Sequence, residues 1–168
     1  MSLSLTVCRI AAHQGALLHQ LRTAALREAP YAFDETLEEA LAAAPATLDA
    51  TAFQHAVSTT AATFILYTEG HPAGLIDACF AAATAWQARV SALWVAPAVR
   101  HLRGGELLVN TASEWLVAQG ATDIYAWVAD ANRNARHFYE HLGFISTGEQ
   151  VRSARASDQW ETLLVRPV

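Results

Sequence analysis

Apolar positions along this chain alternate between two periods, and each change of period marks a new element. The stretch "LSLTVCRI" (Leu3 to Ile10) fits a short opening strand. From Ala16 the period lengthens. Ala16, Leu17, Leu21, Ala24, Ala25 and Leu26 share one helical face, and Pro30 closes that helix. A second helix is predicted in "DETLEEALAAAP", with Asp34 as its N-cap. Glu35, Glu38 and Glu39 complement the positive end of its dipole, and Pro45 ends it. "ATLDATAFQHAVSTT" adds a further short helix. At Thr63 the texture changes to strands. "TFILYTE" and "AGLIDACFAA" flank Gly70-His71-Pro72 and read as a β-hairpin, followed by the strand Arg89–Val95 and by Pro97.

The helical period returns with Leu107, Leu108, Thr111, Ala112, Trp115 and Leu116, with Gly120 as a natural C-cap. "TDIYAWVAD" is a buried strand. In "DANRNARHFYEHLGF", Ala131, Ala135, Phe138 and Leu142 mark one face of another helix, with Tyr139 beside it. "FISTGEQVRS" and "QWETLLVRP" form a final antiparallel pair around the loop "ARASD". The order is β, two or three α, three β, α, β, α, β, β. That mixture predicts an α/β fold, an α+β sandwich with helices on both faces of the sheet. No repeat or low-complexity linker divides the chain, so residues 1–168 are expected to form one domain.

Composition narrows the function classes. The chain is 53% hydrophobic and 16% charged, as folded globular proteins are. The net charge of −5 argues against general nucleic-acid binding. No apolar run is long enough to span a bilayer, and the N-terminus lacks the pattern of a signal peptide, so a cytoplasmic, membrane-free protein is expected. Cys8 and Cys79 form no CxxC and are read as reduced, buried thiols. The seven histidines show no metal-ligand spacing. Every basic side chain is arginine, a permanently charged fork suited to phosphates, although GC-rich coding would also replace lysine by arginine.

Two stretches carry candidate chemistry. "VAPAVRHLRGGELL" joins a strand to a helix, with Arg100, Arg103, Gly104 and Gly105 in the turn. The first amides of such a helix lack internal partners and lie at the positive dipole end, which suits a pyrophosphate. A plain turn explains the same residues. The stretch is neither a Walker loop nor a GxGxxG fingerprint.

Taken with "NRNARHFYEHLGF", this turn resembles the GNAT superfamily of N-acetyltransferases. Val95, Pro97, Arg100 and Gly105 match its strand end and phosphate turn, and Asn132, Ala135, Tyr139, Gly143 and Phe144 fill its second motif. The likeness is strong from Thr63 to Gly148 and looser before. One position departs: Arg103 stands where the family carries a middle glycine.

The resemblance implies a mostly antiparallel mixed sheet whose central strands splay apart to admit acetyl-CoA. The pantetheine arm would run along Leu93, Trp94 and Val95, with the Val95 amide facing the thioester oxygen. Amides from Leu102 through Arg103, Gly104 and Gly105 to Glu106 would hold the pyrophosphate, with Arg100 in the same turn. Asn132 would contact the arm or hold its strand, Ala135 would lie beside it, and Arg136 would reach the phosphates unless it is simply a solvated helix residue. Tyr139 would be the general acid that protonates the departing thiolate; read alone, it is a core aromatic. The strand before the turn carries no carboxylate, so Asp77 on the preceding strand is the first candidate for the general base, with Glu149 and Glu161 behind it.

The expected activity is transfer of an acetyl group to a primary amine of a small molecule or peptide, without a metal. The alternative is a catalytically inactive CoA-binding module of the same fold. Dimers are common in the family, which leaves a homodimer open. The acceptor pocket is expected among the N-terminal helices, the Thr63–Ala83 hairpin and the last two strands, drawing on Phe33, Trp86, Tyr125, Trp127 and Trp160.

Overall fold

The change of period at Thr63 separates a helical N-terminal third from the strands that build most of the sheet. The computed structural model describes residues 2–82 and 86–168; the expected end of the hairpin segment at Ala83 lies outside them. In chain order the elements are β1 (Leu5–Arg9), α1 (Gly15–Glu28), a 3₁₀ turn (Pro30–Ala32), α2 (Leu37–Ala42) and α3 (Pro45–Val57). Then come β2 (Ala61–Thr68), β3 (His71–Ala81), β4 (Gln87–Val95) and a second 3₁₀ turn (Pro97–Leu102). α4 (Gly104–Ala118), β5 (Asp123–Ala129), α5 (Arg133–His141), β6 (Ile145–Arg152) and β7 (Trp160–Pro167) complete the chain.

Three local expectations need correction. The N-cap of α2 is Thr36, not Asp34. Thr36 Oγ1 accepts from the Glu39 amide at 3.1 Å, and the Glu39 carboxylate accepts from the Thr36 amide at 2.8 Å. That reciprocal box satisfies two amides at once, which Asp34 could not do from further upstream. Pro45 opens α3 rather than closing α2, because a residue without an amide proton fits a first helical turn. Cys8 is exposed, since it sits on the outward face of the edge strand β1.

Seven strands form one sheet in the order β1-β2-β3-β4-β5-β7-β6. All neighbours are antiparallel except β4 and β5. β5 pairs with β7 from Asp123↔Pro167 to Ala129↔Glu161. Against β4 it keeps a single parallel pair, Arg89↔Tyr125. Beyond that pair the two central strands part.

A bulge contributes to the parting. Leu75 faces Trp94 and Asp77 faces Ser91, so β4 carries one residue more than β3 between those pairs. Ala92, in the bulge, takes a left-handed φ of 54°. Bulges of this kind bend a strand and sharpen its twist.

The sheet has a core on each face. Leu108 and Leu116 of α4 pack with Ile76, Ile124, Val128 and Leu164 on one side. On the other, Leu18, Leu21 and Leu26 of α1 pack with Ile65, Leu75 and Trp94. Side chains alternate across a strand. Asp77, between Ile76 and Ala78 of the α4 face, therefore lies on the α1 face, and so does Glu161, one residue before Thr162 and three before Leu164.

Candidate active site

The parted strands open a cleft of about 1310 Å³ that runs from the start of α4 to the loop ahead of α2. Its volume exceeds the range of roughly 300–1,000 Å³ common for small-molecule sites.

At one end stands the N-terminus of α4. The first backbone bond into this helix is from the Leu107 amide to the Arg103 carbonyl, at 3.3 Å. The amides of Gly104, Gly105 and Glu106 thus have no carbonyl a turn earlier, and no side chain caps them. Gly105 and Glu106 line the cleft. Gly104 does not; it is buried against Leu66. Leu102 also lies off the cleft wall, half-buried at the end of the 3₁₀ turn.

Arg103 keeps the left-handed backbone, with φ 63°, that a glycine would adopt without strain. Its guanidinium turns outward and pairs with Glu106 at 2.6 Å, which neutralises the one acidic side chain in the first turn. Arg100 is anchored rather than free. Its Nε donates to the Val95 carbonyl at 2.9 Å, and it pairs with Glu28 at 2.6 Å. Glu28 also accepts from the Trp94 indole at 2.9 Å. The Arg100 and Trp94 bonds hold the Glu28 carboxyl below its ordinary range.

Leu93, Trp94 and Val95 form the β4 wall. The Ala96 amide donates to Ala73 on β3 at 2.8 Å. Alternation therefore turns the Val95 amide to the opposite side, toward the gap. On the facing wall, Asn132 caps α5 by accepting from the Ala135 amide at 3.1 Å, and both residues line the cleft. Arg136 does not line it. Its Nε donates to Glu140 at 2.8 Å, one turn along the same helix.

Tyr139 is 6% exposed, packed edge-on between Phe138 and Phe144 at centroid distances of 5.3 and 5.1 Å. Its hydroxyl has no hydrogen-bond partner among the described residues, and it is not among the buried unsatisfied atoms. The ring is held by packing while the oxygen meets the cleft. Burial pushes the phenol well above its usual value, so it stays protonated through the neutral range.

The other end of the cleft lies on the α1 face of the sheet. Phe33 and Trp127 line it together with Tyr31; Trp86, Tyr125 and Trp160 do not. Asp77 is on its wall with both oxygens engaged. Thr63 donates to Oδ1 at 2.5 Å, and Arg22 reaches Oδ2 at 3.2 Å. His55 Nδ1 lies 2.7 Å from the same Thr63 hydroxyl. Glu161 lines the cleft as well, while Glu149 does not. The loop between β6 and β7 closes over this end, with Arg155 donating to the carbonyls of Pro30, Phe33 and Glu35 at 2.9, 2.6 and 2.8 Å. Arg22, Glu28 and Arg155 carry no local sequence signal, because each acts on a partner remote in the chain.

The sequence matches the profile of the acetyltransferase (GNAT) family over residues 18–144. The chain belongs to the GNAT acetyltransferase family.

No curated protein matches the sequence significantly. Among solved structures, the GNAT-family acetyltransferase of Streptococcus pneumoniae superposes with a TM-score of 0.81 at 18% identity, covering 98% of this chain and 99% of that one. An acetyltransferase of Thermus thermophilus gives 0.67 at 23% identity, with 99% of each chain covered. The PaiA N-acetyltransferase of Thermoplasma acidophilum, solved with coenzyme A, gives 0.74 at 14% identity over 98% of this chain and 99% of that one. At these identities the likeness concerns the fold.

Proposed function

We propose that this GNAT protein transfers an acetyl group from acetyl-CoA to a primary amine by direct attack of the amine on the thioester. The observation that carries the reading is the Tyr139 hydroxyl, unpartnered and kept protonated beside the gap between β4 and β5. Amide formation releases a thiolate, and a proton held on a phenol at this position suits its departure.

The remaining roles follow the cleft. The unpartnered amides at the start of α4 receive the pyrophosphate, with Gly105 and Glu106 on the wall. Leu93, Trp94 and Val95 flank the pantetheine arm, and the Val95 amide faces the thioester oxygen, where negative charge develops. Arg100 fixes the turn through Val95 and Glu28, and Asn132 fixes the start of α5. Asp77, with both oxygens occupied, holds Arg22 at the acceptor end.

Isothermal titration with acetyl-CoA, followed by a primary-amine panel with thiol detection, tests the reading. Binding with release of free CoA on adding an amine is expected. Absence of acetyl-CoA binding sinks it. Binding without turnover of any amine supports a CoA-binding module instead, a reading favoured by the occupied oxygens of Asp77.

A further inference from the structure

Five carboxylates border the cleft: Asp34, Glu35, Asp77, Glu106 and Glu161. Asp77 is committed to Thr63 and Arg22, and Glu106 to Arg103. Asp34 and Glu35 sit on the loop ahead of α2, where Asp34 is exposed. Glu161 differs from all four. It stands on a paired strand, opposite Ala129 of β5 and Val151 of β6, so its backbone is fixed on both sides. Its side chain is half-buried, with no hydrogen bond or ion pair among the described residues. A carboxylate drawn out of water without a partner is costly unless a ligand supplies the missing charge.

We propose that Glu161 is the catalytic base of the acetyl transfer, taking a proton from the ammonium of a cationic primary amine bound at the acceptor end of the cleft. The inference rests on the acetyl-transfer reading above and names its proton acceptor and substrate charge. The register puts Glu161 on the α1 face of the sheet with Trp127 and Asp77, the side opposite the α4 core in which Tyr139 packs. Acid and base thus approach the parted strands from opposite faces.

The chemistry balances. The ammonium gives one proton to Glu161 and becomes a neutral amine. Its nitrogen bonds to the thioester carbon, and the carbon–sulfur bond breaks with its electron pair on sulfur. Tyr139 protonates that sulfur and regains a proton from the new amide nitrogen. Glu161 returns its proton to water through the open cleft. Net products are the acetamide, free CoA and one proton.

Electrostatics agree. Burial, and then the like charge of Asp34, raise the Glu161 carboxyl above its ordinary value, making it a better proton acceptor than an exposed glutamate. The cations bordering this end have partners among other residues. Arg155 faces three carbonyls of the loop that also carries Glu35, Arg22 is paired with Asp77, and Arg89 donates to Gln87 on its own strand at 2.7 Å.

The test has a substrate-independent arm. Carboxyl ¹³C NMR of the full chain, with Glu161→Gln to assign the resonance, follows the titration of Glu161 directly. A midpoint above the ordinary glutamate value of ~4.3, lowered by Asp34→Asn and by added spermidine or tyramine, is expected. A midpoint at or below that value, or one indifferent to both amines, overturns the proposal. In the kinetic arm, with the best amine of the panel, Glu161→Gln should lower kcat by ~10²-fold or more and remove the acidic limb of the pH profile, with acetyl-CoA affinity unchanged. A loss below about threefold, or one confined to KM, assigns Glu161 to recognition and overturns the catalytic role. Loss of acetyl-CoA binding in the unmutated protein removes the acetyl-transfer reading itself, a different failure from an active enzyme indifferent to Glu161→Gln.

Discussion

Gly104 and Leu66 meet so closely that a Cβ on the glycine would stand 2.4 Å from Leu66 Cδ2. Leu66 is fully buried on β2, and Gly104 opens α4 directly above it. The paired glycines at the start of α4 therefore divide their work. Gly104 lets the helix settle on the sheet, and Gly105 stands at the cleft. Gly104→Ala should destabilise the fold by about 1–3 kcal/mol, as overpacking does, read as a lower denaturant midpoint at constant m-value.

Arg103 holds a left-handed backbone that costs a non-glycine residue about 1–2 kcal/mol. Its ion pair with Glu106 is solvent-exposed and contributes little. Arg103→Gly should therefore be more stable than Arg103→Ala by about 1 kcal/mol. Equal denaturation midpoints for the two variants would show that the turn relaxes when the arginine is removed.

Tyr139→Phe removes an oxygen that has no hydrogen-bond partner among the described residues, while keeping the ring between Phe138 and Phe144. Thermal stability and acetyl-CoA affinity should be nearly unchanged, while kcat falls by ~10²-fold or more. A large drop in Tm with unchanged kcat would return the residue to packing alone.

The same phenol sets an alkaline limit. Its folded-state pKa is raised, so between the unfolded value near ~10 and the folded one the native state binds more protons than the unfolded state. Stability is then full below about pH 10 and declines as pH rises through that window. Tyr139→Phe should flatten this decline in alkaline denaturation curves.

Arg155 ties the β6–β7 loop to the carbonyls of Pro30, Phe33 and Glu35 at the end of the cleft proposed to take the amine. Arg155→Ala should raise KM for the amine about tenfold, consistent with loss of charge-assisted hydrogen bonds, and leave acetyl-CoA affinity as it was. Steady-state kinetics over both substrates separates the two. Equal weakening of both would place the effect in the fold rather than in the pocket.

The helices and strands were legible because their signals are local. The 3.6-residue period of Leu107, Leu108, Ala112 and Leu116 buries three of the four in α4, and the Asn132–Phe144 spacing encodes a capped helix and its exit. Where reading failed, a neighbour decided. Thr36 displaced Asp34 because the reciprocal bond with Glu39 was the better cap.

By itself, then, the sequence determined the elements, the family motifs and the position of Tyr139 beside a buried helical face. Tertiary structure decided what those residues meet. The gap depends on a single β4–β5 pair and on a bulge at Ala92, neither of which has a local pattern. Asp77 meets Thr63 and Arg22 from remote elements, whereas the Glu161 side chain has no hydrogen bond or ion pair among the described residues. A carboxylate's availability is set by charges that approach through space, and a linear chain does not show which ones those are.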